Sequence, residues 1–180
     1  MRTAPASGRQ SRVFVYISPP DRPERMIRGG RPVLPDFDQA EVLYLRYFSD
    51  YFVDGQLSTA AIRFPKQSVN RGLHSEPEDC LFSEQGIYNG LGVVGFQNAD
   101  VPAKVAQPQG PAYIFFLKHV PLPYNYAHSE IWSDQEPGTG NYREPSKTVK
   151  LEFRVRLCQR IGLGNVRIAA VRSSTGAITA

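Results

Sequence analysis

Two histidines and a glutamate within one short stretch offer the clearest chemistry in this sequence. Residues 112–133, AYIFFLKHVPLPYNYAHSEIWS, hold His119, His128 and Glu130, with Tyr124, Tyr126 and Trp132 among them. An imidazole exchanges its proton near neutral pH, so two that bracket one ligand can act as general base and general acid. On a phosphodiester this would be metal-independent RNA cleavage. Glu130 would orient or charge His128, and Arg71 or Arg154 would hold the charge that builds in the transition state. Two rival readings use the same residues. His119, His128 and Glu130 could ligate a divalent ion, but their spacing matches no zinc signature, so neither metal nor cofactor is expected. Alternatively the stretch binds without reacting, with Tyr124, Tyr126 and Trp132 as stacking faces for bases and Arg154 as a cation beside them. The plainest reading is that the histidines are satisfied polar residues at a strand edge.

The elements that position these residues read as a hairpin. Tyr113–His119 is a nearly continuous apolar run that suits a strand buried on both faces. VPLPYN (Val120–Asn125) turns the chain, and Tyr126–Trp132 returns. Alternation puts Tyr126, His128, Glu130 and Trp132 on one face. A symmetric hairpin pairs His119 with Tyr126, Leu117 with His128 and Phe115 with Glu130. His119 and His128 then become diagonal neighbours on one face, roughly 7–8 Å apart. A slip of one residue would reverse the faces.

Around the hairpin, the pattern predicts a single α+β domain, a mainly antiparallel sheet with two packed helices. It spans residues 13–175, after a disordered basic arm (1–12) and before a frayed tail (176–180). The first helix is read over Gln39–Phe52, with Asp38 as its N-cap and stripes at Val42/Leu45/Phe52 and Tyr44/Tyr47/Tyr51. The second opens at Ser75, with Pro77 in its first turn and Glu78 closing a capping box. Strands are expected at Arg12–Ser18 (an edge strand), Leu57–Phe64, the LGVVGFQ run and Val166–Val171. Val149–Leu157, VKLEFRVRL, alternates strictly and reads as a strand with a wet, basic face. A helix is its rival. GLGVVG (Gly90–Gly95) matches G-x-G-x-x-G but leads into a strand, with no acid about 20 residues on. Its glycines therefore serve a turn or close packing, not a dinucleotide.

Composition narrows the class. The chain has 180 residues and is 41% hydrophobic, which excludes general disorder. Fifteen prolines and fifteen glycines predict short elements broken by turns. No apolar run nears the roughly 20 residues that cross a bilayer. The polar N-terminus lacks an apolar signal core, so a cytoplasmic protein with free thiols at Cys80 and Cys158 is expected. Neither cysteine has a nucleophile's context, and no G-x-S-x-G is present. The net charge of +4 conceals a basic start (net +5 to Arg31), an acidic middle (net −7 to Tyr142) and a basic end (net +6). Such segregation fits a nucleic-acid or acidic protein partner, or pairing of the ends with the middle inside one fold. The 21–38 loop, with Arg22, Arg25, Arg28 and Arg31, would lie over a site or reach a partner. Oligomeric state is not set by these features.

Two resemblances bear on function. VLYLRYF (Val42–Phe48), DGQLSTAAIRF (Asp54–Phe64), QSVNR (Gln67–Arg71) and NYAHSEI (Asn125–Ile131) resemble segments of small bacterial proteins to which no activity attaches. Arg46 in LYLR, Ser58-Thr59 in QLSTA and Glu130 resemble the Arg–Ser–Glu set of ADP-ribosyltransferases. That likeness implies an enzyme acting on a nicotinamide dinucleotide. Two features depart from it: the segment with Arg46 reads as a helix, and His128 stands where a second acid is expected.

Overall fold

The β-rich runs of this chain find their partners far away in sequence, and one large antiparallel sheet results. In the computed structural model the described residues are 14–15, 22–84, 86–136 and 138–171. The expected arm (1–12) and tail (176–180) lie outside them. The main sheet has seven strands: β2 (Val42–Tyr47), β5 (Gln67–Arg71), β8 (Gly92–Gln97), β9 (Lys104–Val105), β10 (Tyr113–His119), β11 (His128–Asp134) and β12 (Val166–Ile168). Their order is β12-β8-β2-β5-β11-β10-β9, and each pairing is antiparallel. A smaller sheet joins β1 (Phe14–Val15), β7 (Gly86–Tyr88) and β6 (Phe82–Ser83). β3 (Phe52–Val53) and β4 (Gln56–Leu57) form a hairpin through Asp54–Gly55. One α-helix, α1 (Lys147–Cys158), packs on the main sheet. The fold is α+β as expected, with one α-helix among the described residues in place of two.

Both expected helices require correction. Val42–Tyr47 is the central strand β2, bonded to β5 on one side and β8 on the other. Leu43, Leu45 and Tyr47 are buried while Arg46 is exposed, a period of two that VLYLRY also carries. Two flanking ladders outweigh the helical content of the run. Asp38 caps a turn here, its Oδ1 accepting from the Ala40 N–H at 2.7 Å. The Ser75 segment forms only a 3-10 turn, Pro77–Leu81, whose N-cap is Glu76 and whose Asp79 accepts from the Glu76 N–H at 2.9 Å. Ser75 instead donates to the Arg71 carbonyl at 2.8 Å.

VKLEFRVRL is the converse case. It lies in α1, where Val149, Phe153 and Leu157 are buried at a spacing of four and Leu151 is 56% exposed. The Ser146 side chain accepts from the Val149 N–H, and Glu152 pairs with Arg156 one turn on at 2.7 Å. Lysine, leucine, glutamate and arginine are all good helix formers, so local energetics and the buried stripe agree. The expected strand Leu57–Phe64 is a strand only at its start; a 3-10 turn, Thr59–Ala61, follows.

The helix defines the core face of the sheet. Phe153 stacks on Phe115 with centroids 4.1 Å apart and meets Phe64 edge-on. Leu43, Leu45, Val69, Val94, Phe96 and Ile131 fill the same cluster. Full burial of each such side chain contributes about 1.5–3 kcal/mol. Gly92 is needed here, because a Cβ on it would stand 2.3 Å from the Tyr47 ring. GLGVVG thus runs into β8, as read from its context. The opposite, outer face carries Tyr44, Arg46, Ser68, Asn70, His128, Glu130 and Trp132. The 3-10 turn Pro77–Leu81 packs against β2, β8 and β12.

Candidate functional site

The registers of the central strands decide which polar side chains meet. In the β10–β11 ladder His119 faces Ser129, Lys118 faces Glu130 and Leu117 faces Ile131. The turn closes at Leu122–Asn125 around Pro123–Tyr124, with bonds of 3.0 and 3.2 Å between those two residues. That centre moves the register by an even step and preserves the faces. One further residue enters on the return side before the ladder begins, and the odd total reverses them. His119 therefore lies on the core face and His128 on the outer face. The shared face expected for the two histidines is not formed, and they cannot bracket one ligand.

Four of the expected site residues belong to the interior side. His119 is buried, its Nε2 2.6 Å from the Tyr126 carbonyl and its Nδ1 2.9 Å from the Leu34 N–H. Nε2 must donate and Nδ1 must accept, so the ring is held neutral; burial, above all, pushes its pKa down. Arg71 is 2% exposed and fully engaged. It makes two 2.7 Å bonds to Glu41, donates to the Leu34 and Asp36 carbonyls, and lies over the Phe37 ring. Tyr126 is buried, with its hydroxyl donating to the Pro32 carbonyl and Arg31 over its ring at 3.5 Å. Arg154 donates to the Ile62 carbonyl at 3.0 Å and holds the 3-10 turn against α1. His74 packs on Tyr126 and His119. These groups act as structure.

His128, Glu130, Trp132 and Tyr124 face outward or line the outer cavity. The His128 Nδ1 lies 2.8 Å from the Val120 carbonyl and must donate to it. Its Nε2 lies 3.3 Å from the Ser68 hydroxyl. Trp132 donates to Glu130 Oε2 at 2.7 Å, while Lys118 and Lys66 lie over its ring at 3.8 and 4.3 Å.

Sequence reasoning missed the space beside these residues. A cavity of about 260 Å³ opens on the outer face, lined by Arg22, Tyr44, Arg46, Ser68, Asn70, Cys80, Phe82, Tyr88, Tyr124, Asn125 and His128, among others. A second, of about 360 Å³, is lined by Phe48, Tyr51, Arg63, Lys66 and neighbours. Both include Arg46, Ser68 and Tyr88, so they adjoin as one groove, whose second part also reaches Leu45, Tyr47, Ala61 and Phe64 at the edge of the core. Its charged lining is Arg22, Arg46, Arg63 and Lys66 against Glu84 alone. The acidic middle of the chain thus turns a cationic face to this groove. Arg46 lies 4.7 Å from the Tyr88 ring centroid, Arg63 5.9 Å from Phe48, and Arg22 5.3 Å from Tyr124.

The basic loop contributes through Arg22. Its other arginines fasten the loop down: Arg25 makes two bonds to the buried Asp79, and Arg28 donates to the Pro121 carbonyl. Cys80 and Cys158 are free and buried; burial pushes their thiols up to about 12 and about 11. Among the described residues no three metal-ligating side chains gather, and no helix is long and apolar enough to cross a membrane.

No protein-family model, curated protein or solved structure matches the chain. The site must be judged on its geometry. Of the residues resembling an ADP-ribosyltransferase set, Arg46 is on a strand after all, and it shares the outer face with Glu130. Glu130 pairs directly with Ser68, and continuing the β2–β5 register puts Arg46 level with Ser68 as well. Ser58 and Thr59 are outside the sheet, where Ser58 Oγ accepts from the Ala60 N–H and caps the 3-10 turn.

Proposed function

We propose that this protein binds single-stranded nucleic acid along the outer-face groove, without catalysing a reaction on it. One observation carries the reading: cation–ring pairs gather around the groove. Arg46 with Tyr88 and Arg63 with Phe48 line it, Lys66 reaches the Trp132 ring beside it, and the buried Arg22 holds Phe82 and Tyr124 at its other end. Cations offer sites to a phosphate backbone, and ring faces offer stacking at about 1–3 kcal/mol per base. A duplex keeps its bases stacked on one another, so single strands are favoured. Fluorescence anisotropy with a labelled single strand and its duplex, over a salt series, tests the proposal. The single strand should bind more tightly, with log affinity falling linearly in log salt. No binding of the single strand at low salt would defeat it.

A second reading is favoured by the row Arg46–Ser68–Glu130. In it the groove holds a nicotinamide dinucleotide, with Ser68 taking the place of the Ser58-Thr59 pair. It predicts that the dinucleotide raises the melting temperature and that Glu130→Gln abolishes the effect. A melting curve unmoved by the dinucleotide would remove this reading.

A further inference from the structure

The basic loop is anchored at two points and lies lightly between them. At one end Met26 is buried, its carbonyl accepting from the Tyr126 N–H at 2.9 Å, and the Arg28 N–H donates to the Pro123 carbonyl at 3.0 Å. At the other end Phe37 packs against the core cluster. None of residues 29–36 between these anchors is buried. Gly29 and Gly30 open this strap with φ of 47° and 82°, a backbone region that glycine enters without steric cost. Polar contacts hold the strap closed. The Leu34 N–H donates to His119 Nδ1 at 2.9 Å, and the Tyr126 hydroxyl donates to the Pro32 carbonyl at 2.9 Å. Arg71 donates to the Leu34 and Asp36 carbonyls at 2.9 and 2.7 Å. Each such bond contributes about 0.5–1.5 kcal/mol net, so the strap opens far more easily than the sheet beneath it.

One of these bonds depends on a proton. His119 Nε2 donates to the Tyr126 carbonyl at 2.6 Å, so Nδ1 accepts from Leu34 only while the ring is neutral. A proton on Nδ1 would set two donors against each other. The surroundings also resist the added charge. Around the His119–His74 pair stand Arg71 on β5, Arg31 on the strap and His128 on β11, all of which oppose a positive ring. The carboxylate nearby, Glu41, is already committed to Arg71 through two 2.7 Å bonds. Arg31 lies over the Tyr126 ring, which meets His119 edge-on. Lifting the strap gives the Leu34 amide and the charged ring to water and leaves the Arg71–Glu41 pair intact.

We infer that residues 29–36 form a pH-sensitive latch: neutral His119 holds the strap closed, and its protonation releases the strap while the sheet stays folded. Closure lowers the proton affinity of His119, above all by burial. The latch is therefore fully closed above the ordinary histidine value of about 6.5 and is lost as pH falls below it. Release uncovers Tyr126, His74 and His119 beside Arg71. The latch is independent of what the outer-face groove binds, so either can fail without the other.

Amide hydrogen exchange on the full chain, from about pH 7.5 to about pH 5 and corrected for the intrinsic rate at each pH, tests the latch. Protection of the Leu34 amide should fall about tenfold or more, while amides within β8 and β11 keep theirs. The ring nitrogens of His119, followed by NMR, should titrate with the same midpoint. His119→Gln takes up no proton in this range and should make Leu34 protection independent of pH, whereas His74→Gln should keep the release. Leu34 protection that does not change with pH in wild type would overturn the latch. So would acid release that persists in His119→Gln, or a parallel loss in strap and sheet, which would mean that acid unfolds the whole. Should His119→Gln fail to fold, the two wild-type midpoints decide: coincidence supports the latch and separation overturns it.

Discussion

The Arg46 guanidinium lies 4.7 Å from the centroid of the Tyr88 ring, and both residues line each of the two adjoining cavities. Arg46 comes from the central strand β2 and Tyr88 from the small sheet, so the pair bridges the two sheets. A cation over a ring gains about 0.5–1 kcal/mol at an exposed site. Its greater interest is its place, with a positive charge beside an aromatic ring where the two cavities adjoin.

Charge at this position should be visible in the salt dependence of binding. Arg46→Ala is expected to weaken a single strand uniformly across sequences and to reduce the slope of log affinity against log salt by about one. Binding isotherms at four or more salt concentrations measure that slope. An unchanged slope would mean that Arg46 meets no phosphate.

The Arg71–Glu41 pair belongs to stability. Both side chains are nearly inaccessible, at 2% and 6% exposed. Removing one partner leaves the other charge buried alone, so Arg71→Ala should cost about 3–5 kcal/mol in urea unfolding. The apolar double replacement Arg71→Met with Glu41→Leu should recover much of that loss.

Acid should destabilise the fold through His119 and His74. Burial lowers both pKa values below the ordinary histidine value; Arg71 lowers them further, and at His119 the Tyr126 carbonyl opposes the shift. The unfolded chain then binds more protons than the folded one just below about pH 6.5. Stability is therefore complete above that pH and is lost as pH falls toward the folded-state pKa values. His119→Gln should flatten this acid limb in unfolding curves taken from pH 8 to 5. An acid limb of equal slope in the variant would assign the effect elsewhere.

Much of the sheet was legible because alternation and turns agree. Tyr113–His119 is a strand over the expected bounds, and the GLGVVG glycines lead into β8. Two segments misled, each because it satisfies two periods. VLYLRY carries apolar residues at spacings of two and three, and only its ladders to β5 and β8 select the strand. VKLEFRVRL alternates perfectly, yet Ser146 before it supplies a helix cap, and every second apolar residue (Val149, Phe153, Leu157) falls on one helical face. The site was the least legible part. A register is a long-range property, and a single extra residue after Asn125 separates His119 from His128. Asn70 and Ser68 carry no local signal, because what places them is the partner each finds across strands. Alternation along VLYLRY and QSVNR, read together, would have placed Tyr44, Arg46, Ser68 and Asn70 on one surface.

The most direct test of the groove compares Arg46→Ala/Tyr88→Ala with Arg156→Ala in single-strand binding at one low salt concentration. Arg156 is exposed on α1 and lines neither cavity, and its replacement removes the same charge. The groove variant should lose at least tenfold in affinity, from one phosphate contact and one stacking face of about 1–3 kcal/mol, while Arg156→Ala binds like wild type. Equal losses in the two variants, or none in the first, would contradict the proposed function.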